Sequence, residues 1–126
     1  MKRVTGLGGP FLKAKDPKAL AAWYEQHLGI AFNGGTYAVL PITDPEGKAK
    51  AGFNIFSFFA MDSKYFDPSA KEVMVNFIVE DLFGLIRVFK EEGVTIAGEP
   101  MDEEYGKFGW IIDPEGNKIE LWEPPK

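Results

Sequence analysis

The chain contains no cysteine among its 126 residues, so disulfide frameworks, zinc thiolates and thiol nucleophiles are excluded. It contains one histidine, His27, and no site needing two histidines can be built from a single copy. Positive charge is scarce. Fourteen Lys and Arg stand against 19 Asp and Glu, a net charge of −5 at pH 7. An acidic chain of this size is a poor nucleic-acid binder, because phosphate binding needs a basic face, so no nucleic-acid partner is expected. No apolar run approaches the ~18 residues of a membrane span. Lys2 and Arg3 resemble the start of a signal peptide, but the stretch after them is broken by glycine and meets Lys13 before an apolar region can form. The default expectation is a soluble, cytoplasmic protein with no membrane partner.

The chain is otherwise rich in core-forming residues, with 45% hydrophobic and 14% aromatic. Fourteen Gly and nine Pro predict frequent turns and hence a strand-rich fold. The length suits one domain able to bury its own core.

The most informative feature is an internal repeat. Asp16-Pro17-Lys18-Ala19-Leu20 opens a stretch that is apolar at Leu20, Trp23, Tyr24 and Leu28 and closes at Gly29. Asp81 opens a second, apolar at Leu82, Leu85, Ile86 and Phe89 and closing at Gly93. Apolar spacings of three and four predict two amphipathic helices. Asp suits each N-cap, Pro17 suits the first helical position, and each Gly suits a left-handed C′ position. Strands are expected before each helix, at Pro10 to Ala14 and at Val73 to Val79. Downstream, Asp44-Pro45-Glu46-Gly47 reappears as Asp113-Pro114-Glu115-Gly116, the composition of a type I turn closed by a left-handed residue. The caps lie 65 residues apart (Asp16 to Asp81) and the turns 69 (Asp44 to Asp113), so a small insertion is expected in the second half. The pattern reads strand-helix-strand-strand-strand, twice, joined by a linker at about 61–72 in which Asp62, Ser63, Asp67, Pro68 and Ser69 break the apolar pattern.

Several strands are apolar on both faces. Phe53 to Phe59 is interrupted only by Asn54 and Ser57, and Val73 to Val79 only by Asn76. Such strands lie between two layers. One layer is the helices, and two curved sheets facing each other across a hollow would supply the other. Asn76 is then either a structural amide satisfied by neighbours or a ligand contact. In Lys118-Ile119-Glu120-Leu121-Trp122, alternation places Glu120 with Lys118 and Trp122 on one face and Ile119 with Leu121 on the other. Glu120 is either solvated on an open sheet face or aimed into the hollow, where a carboxylate must be paired, metal-bound or protonated. His27, beside Leu28 and Gly29, reads as capping or packing at the end of the first helix, and Asp102-Glu103-Glu104 as a solvated loop.

This ordering resembles the vicinal-oxygen-chelate superfamily, which includes glyoxalase I, extradiol dioxygenases, fosfomycin resistance proteins and bleomycin resistance proteins. The segment Phe108 to Trp122, with its Asp113-Pro114-Glu115-Gly116-Asn117 turn, is similar to the closing hairpin of that superfamily. Phe11 to Gly29 is similar to its opening strand and helix, and Asn76 to Leu82 to the start of its second module. The resemblance implies an α+β fold of two tandem βαβββ modules forming a cupped, open barrel-like sheet with helices outside. It implies one domain over residues 1–126, with module one at about 5–60 and module two at about 73–126. It implies a homodimer, because members are usually dimeric. Metal-using members hold a divalent ion in the cup. The carboxylate ligand of the last strand matches Glu120, but the other two ligand positions fall at Gly9 and Met74. Glycine has no donor, and a thioether is a poor ligand for Mg, Mn or Fe(II).

The expectation is therefore no cofactor, with a divalent metal held through Glu120 as the alternative. Strand parity from the matched positions puts Phe11 and Lys13, and Asn76 and Ile78, on the cup face. Trp110 falls where relatives that bind small polar antibiotics place an aromatic cavity residue, and Phe56, Tyr105 and Trp122 are candidates for further aromatic wall. The candidate ligand-binding set is Lys13, Phe56, Met74, Asn76, Tyr105, Trp110, Glu120 and Trp122, with Glu120 the candidate catalytic residue. The expected function is binding of a small organic molecule without a dedicated metal site. The alternative is a glyoxalase-like lyase or isomerase in which Glu120 is the base and Asn76 or Lys13 stabilises an enolate. A third possibility is a structural or regulatory module whose cup is filled by its own side chains.

Overall fold

The computed structural model describes residues 1–126, Ala51 through its backbone alone. In chain order the elements are β1 (Val4–Ala14), α1 (Pro17–Leu28), β2 (Tyr37–Thr43), β3 (Ala49–Ala60), β4 (Val73–Val79), α2 (Leu82–Glu91), β5 (Thr95–Ile96), β6 (Met101–Glu103), β7 (Gly106–Ile112) and β8 (Lys118–Glu123).

The repeated sequence signals become repeated bonds. The Asp16 side chain accepts from the Ala19 amide at 3.1 Å, and Asp81 from the Gly84 amide at 3.1 Å, each satisfying a donor that the first helical turn leaves unpaired. Gly29 adopts φ 70° and donates its amide to the Glu25 carbonyl. Gly93 adopts φ 79°; its amide bonds Lys90 O, and Val94 N bonds Phe89 O, the paired closure of a Schellman end. The two turns are near copies. Asp44 Oδ1 accepts from the amides of Glu46 and Lys48, and Asp113 Oδ1 from those of Glu115 and Asn117; Gly47 and Gly116 both have φ 85°. These bonds hold the Asp113 carboxyl below its ordinary range, with Asn117 contributing most. Asp81→Ala should lower stability by about 1 kcal/mol in a denaturant titration, with no change of fold.

One mixed sheet of eight strands runs β2-β3-β1-β4-β8-β7-β5, with β6 also on β7. Within each half the first strand pairs in parallel with the last, β1 with β3 and β4 with β8. The halves join along antiparallel β1 and β4, where Phe11 faces Met74 and Gly9 faces Asn76. The end strands β2 and β5 do not pair with each other, so the sheet is cupped but open.

Both helices cover the outer face. Ala14, Ala21, Phe32, Ala38 and Phe58 form the core under α1. Val79, Leu82, Leu85, Ile86 and Leu121 form the core under α2. A third cluster, Phe11, Phe66, Met74 and Trp110 edged by Ile55, Phe59 and Phe108, lies on the inner face. This explains the strands that are apolar on both sides. In β3, Phe56 and Phe58 pack with the α1 core, whereas Ile55 and Phe59 pack inward.

The repeat is incomplete in one place. Residues 30–36 form a turn, not the first of three strands expected after α1. Glu25 Oε1 accepts from the amides of Phe32 and Asn33 at 2.6 and 2.9 Å, so these donors are satisfied without a neighbouring strand. The matching region of the second half holds β5 and β6, and the insertion inferred from the spacing falls there. Met101–Glu103 is thus a short exposed strand, not the loop expected for Asp102 and Glu103.

Candidate functional site

The inner face of the second half is built by β4, β7 and β8. Ile119 and Leu121 pack toward α2, so strand alternation turns Lys118, Glu120 and Trp122 inward. Glu120 is 2% exposed. Its register neighbours are Asn76 on β4 and Trp110 on β7, both buried. The third partner is Tyr65, from the segment between the modules, whose hydroxyl donates to Glu120 Oε2 at 3.0 Å. Lys118 donates from Nζ to the Tyr65 carbonyl at 2.6 Å and lies 5.2 and 5.4 Å from the Tyr65 and Trp110 rings.

Burial dominates the electrostatics. It pushes the Glu120 carboxyl up to about 7, against the opposing pull of the Tyr65 hydroxyl, Trp110, the Lys118 charge and Asn76. Burial, and then the nearby Glu120, raises the Tyr65 hydroxyl above its ordinary value. Burial lowers Lys118, while Glu120 and Asp67 oppose that shift. Two polar atoms of the cluster are buried without a hydrogen-bond partner among the described residues, Asn76 Oδ1 and Trp110 Nε1. The Trp110 indole N–H favours the Glu120 charge from nearby but meets no acceptor in hydrogen-bond geometry. Such orphans cost on the order of 1–3 kcal/mol each. A carboxyl near neutrality beside an unused donor and an unused acceptor can accept or deliver a proton and can orient a polar ligand.

The remaining candidates divide. Met74 is 1% exposed within the inner apolar cluster, two residues before Asn76 on the same face of β4. Trp122 is buried, stacked on Phe108 and bonded from Nε1 to the Tyr105 carbonyl at 2.9 Å. Lys13 is half-buried, with Nζ 5.3 Å from the centre of the Phe66 ring. Two candidates are not brought to the cup. Phe56 lies on the opposite face, edge-on to Tyr24 and Phe32 under α1, because β3 alternation turns it outward. Tyr105 is 73% exposed in the turn before β7 and offers only its carbonyl. His27 is exposed at the last turn of α1, its ring 4.7 Å from that of Trp23.

Tyr65 and Phe66 were not in the candidate set. Phe66 is fully buried and Tyr65 reaches Glu120, so the linker lies across the cup. The available signal was two adjacent aromatics inside an otherwise polar linker. Two other grooves, of about 600 and 430 Å³, lie away from the cup. One runs along α1 at Leu20, Trp23 and Tyr24, the other between Val94 and Pro114.

The residues present do not fit a three-ligand metal centre. Gly9 has φ 139°, and a Cβ there would stand 1.8 Å from the Ile55 carbonyl oxygen, so any side chain collides with β3. Met74 offers only a thioether in apolar surroundings. No group of three His, Cys, Asp or Glu that could hold an ion occurs among the described residues. Gly8 is less constrained, since the nearest atom to a Cβ there, at 1.8 Å, is the side-chain oxygen of Asn76.

No curated protein sequence matches the chain. Among solved structures, methylmalonyl-CoA epimerase from Mycobacterium tuberculosis aligns with TM-score 0.64 at 20% identity, covering 100% of this chain and 92% of that one. A variant of Streptomyces coelicolor methylmalonyl-CoA epimerase in complex with 2-nitronate-propionyl-CoA aligns with TM-score 0.68 at 17% identity, covering 96% and 95%. A glyoxalase/bleomycin resistance protein/dioxygenase superfamily member from Vibrio splendidus 12B01 aligns with TM-score 0.59 at 15% identity, covering 98% and 99%. At these identities the similarity is one of fold. A sequence profile matches residues 7–121, and with the paired modules and cupped sheet it shows that the chain belongs to the Glyoxalase/Bleomycin resistance protein/Dioxygenase superfamily.

Proposed function

We propose that the protein binds a small organic molecule on the inner face of the sheet, over Glu120, Asn76 and Trp110, without a dedicated metal ion. The observation that carries this is the polar cluster itself. A buried carboxyl, an unpaired amide oxygen and an unpaired indole N–H sit inside an apolar cup. Buried polar groups are a costly way to hold a core, since well-packed apolar residues are often as stable or more so. They are the kind of sparse polar groups that orient a ligand in an apolar site. Glu120→Gln should keep the fold and weaken binding of a ligand found by native mass spectrometry or thermal-shift screening by about tenfold or more, the loss of one charge-assisted hydrogen bond. Unchanged affinity removes Glu120 from the site. Tight, stoichiometric uptake of Mn²⁺ by the purified protein would overturn the metal-free part.

A second reading is an isomerase or lyase of the glyoxalase type, with Glu120 as base. It is favoured by a carboxyl titrating at about 7, where the same group serves as acceptor and donor. Homology to the epimerases does not carry it, because they share the fold alone. Its signature is solvent deuterium entering a bound carbon acid in the wild type and not in Glu120→Gln.

A further inference from the structure

Tyr65 occupies the cup in the manner of a bound ligand. Its ring is stacked on Phe59 at 5.5 Å and 8°, and meets Trp110 edge-on at 6.1 Å and 89°. The Lys118 ammonium lies 5.2 Å from the ring centre, and the hydroxyl bonds to Glu120. Every one of these contacts is made by a sheet strand: Phe59 on β3, Trp110 on β7, Lys118 and Glu120 on β8. The occupant alone comes from irregular chain.

That chain is built to stay in place without Tyr65. Its local bonds are Ser63 N to Ala60 O, Asp67 N to Lys64 O, Ser69 N to Phe66 O, Tyr65 N to Ser63 Oγ and Lys71 N to Ser69 Oγ. None of them uses the Tyr65 side chain. Phe66, fully buried, is the anchor, whereas Tyr65 is already 37% exposed. A rotamer change at Tyr65 would carry its ring into solvent and leave Phe66 seated. Tyr65 is also an imperfect occupant, since it leaves Trp110 Nε1 and Asn76 Oδ1 unpaired beside it.

We propose that the space filled by Tyr65 is the ligand site, that its ligand is an aromatic ring carrying a hydrogen-bond donor, a phenol being the simplest, and that Tyr65 is a tethered competitor which leaves when the ligand enters. This rests on the cup being the binding site, as proposed above, and adds the class of ligand and the gate. The stacking wall and the cation select an aromatic ring. The buried carboxyl selects a donor on that ring, and the unpaired indole N–H favours an acceptor next to it. Because Tyr65 is tethered, it competes at a high effective concentration and weakens the apparent affinity of free ligand.

The probe is p-cresol, which is the tyrosine side chain itself, with toluene as the same ring lacking the donor. Tyr65→Ala, followed by calorimetry and tryptophan fluorescence, should bind p-cresol about tenfold or more tightly than toluene. Adding Glu120→Leu should abolish that preference. The wild type should bind p-cresol more weakly than Tyr65→Ala. At saturation the wild type should lose the NMR contacts between the Tyr65 and Phe59 rings while p-cresol gains contacts to Phe59 and Trp110. Equal binding of p-cresol and toluene by Tyr65→Ala overturns the proposal. So does binding of p-cresol to the wild type with the Tyr65–Phe59 contacts intact, or no binding to either protein. If Tyr65→Ala does not fold, the wild-type NMR experiment decides alone. A ligand of another class that still depends on Glu120 would sink the aromatic class and leave the cup as the site. Loss of Glu120 dependence for every ligand would sink both.

Discussion

Replacing Gly9 with alanine should cost on the order of 4 kcal/mol or more, enough to leave the protein largely unfolded or insoluble. Two penalties combine. The residue holds φ 139°, a conformation that side chains rarely adopt, and the added methyl would stand 1.8 Å from the Ile55 carbonyl oxygen and 2.7 Å from its carbon. The obstacle is backbone, not the movable end of a side chain. Relief requires β1 and β3 to separate at the position that leads into their parallel pairing, which begins at Phe11 and Ser57. Urea denaturation of Gly9→Ala against Gly34→Ala measures the effect, because a Cβ at Gly34, also at positive φ, meets nothing within 4 Å. Comparable losses at the two positions would show that backbone conformation alone is responsible. The same geometry predicts that Gly9→His combined with Met74→His will not rebuild a metal centre. The new imidazole cannot be seated without moving β3.

Wild-type stability should fall by about 3 kcal/mol as pH rises from 4.5 to beyond 7, and Glu120→Gln should not show this fall. The sign follows from the direction of the shift. In the unfolded chain Glu120 titrates near 4.5, and in the folded protein at about 7. Between those values the folded state holds a proton that the unfolded state has released. Its contribution is complete below 4.5 and is lost as pH climbs through 7. Glutamine keeps a neutral acceptor for the Tyr65 hydroxyl, so above pH 7 the variant should be the more stable protein. Glu92 and Asp113 are shifted the other way, and their contributions are lost only on acidification below their ordinary range. Those losses therefore lie on the acid side of the Glu120 window. Denaturant titrations at half-unit pH steps supply the two curves. A flat wild-type profile, or the same slope in Glu120→Gln, would show that the carboxyl is charged throughout.

Elements governed by neighbours in sequence could be read directly. Asp16, Asp81, Gly29 and Gly93 set the helix ends through bonds spanning three to five residues. Asp44 and Asp113 set the turns in the same way. Alternation in Lys118 to Trp122 also gave the two faces of β8, but which of them turns inward was settled only by the packing of Ile119 and Leu121 against α2. Phe56 was misplaced because β3 is apolar on both faces, so its pattern carries no phase. Tyr105 was misplaced because a turn residue has no strand parity to follow.

Composition and spacing alone thus determined the doubled architecture, the caps and turns, the two faces of β8 and the lack of cysteine and of a second histidine. Each depends on a residue's own chemistry and a few neighbours. Tertiary structure alone decided that Tyr65 rather than solvent meets Glu120, that the Ile55 backbone leaves no room for a side chain at Gly9, and that burial pushes the carboxyl up to about 7. Those facts arise where segments distant in the chain converge. Tyr65 and Glu120 stand 55 residues apart, and no local pattern encodes the distance between them once the sheet has curled.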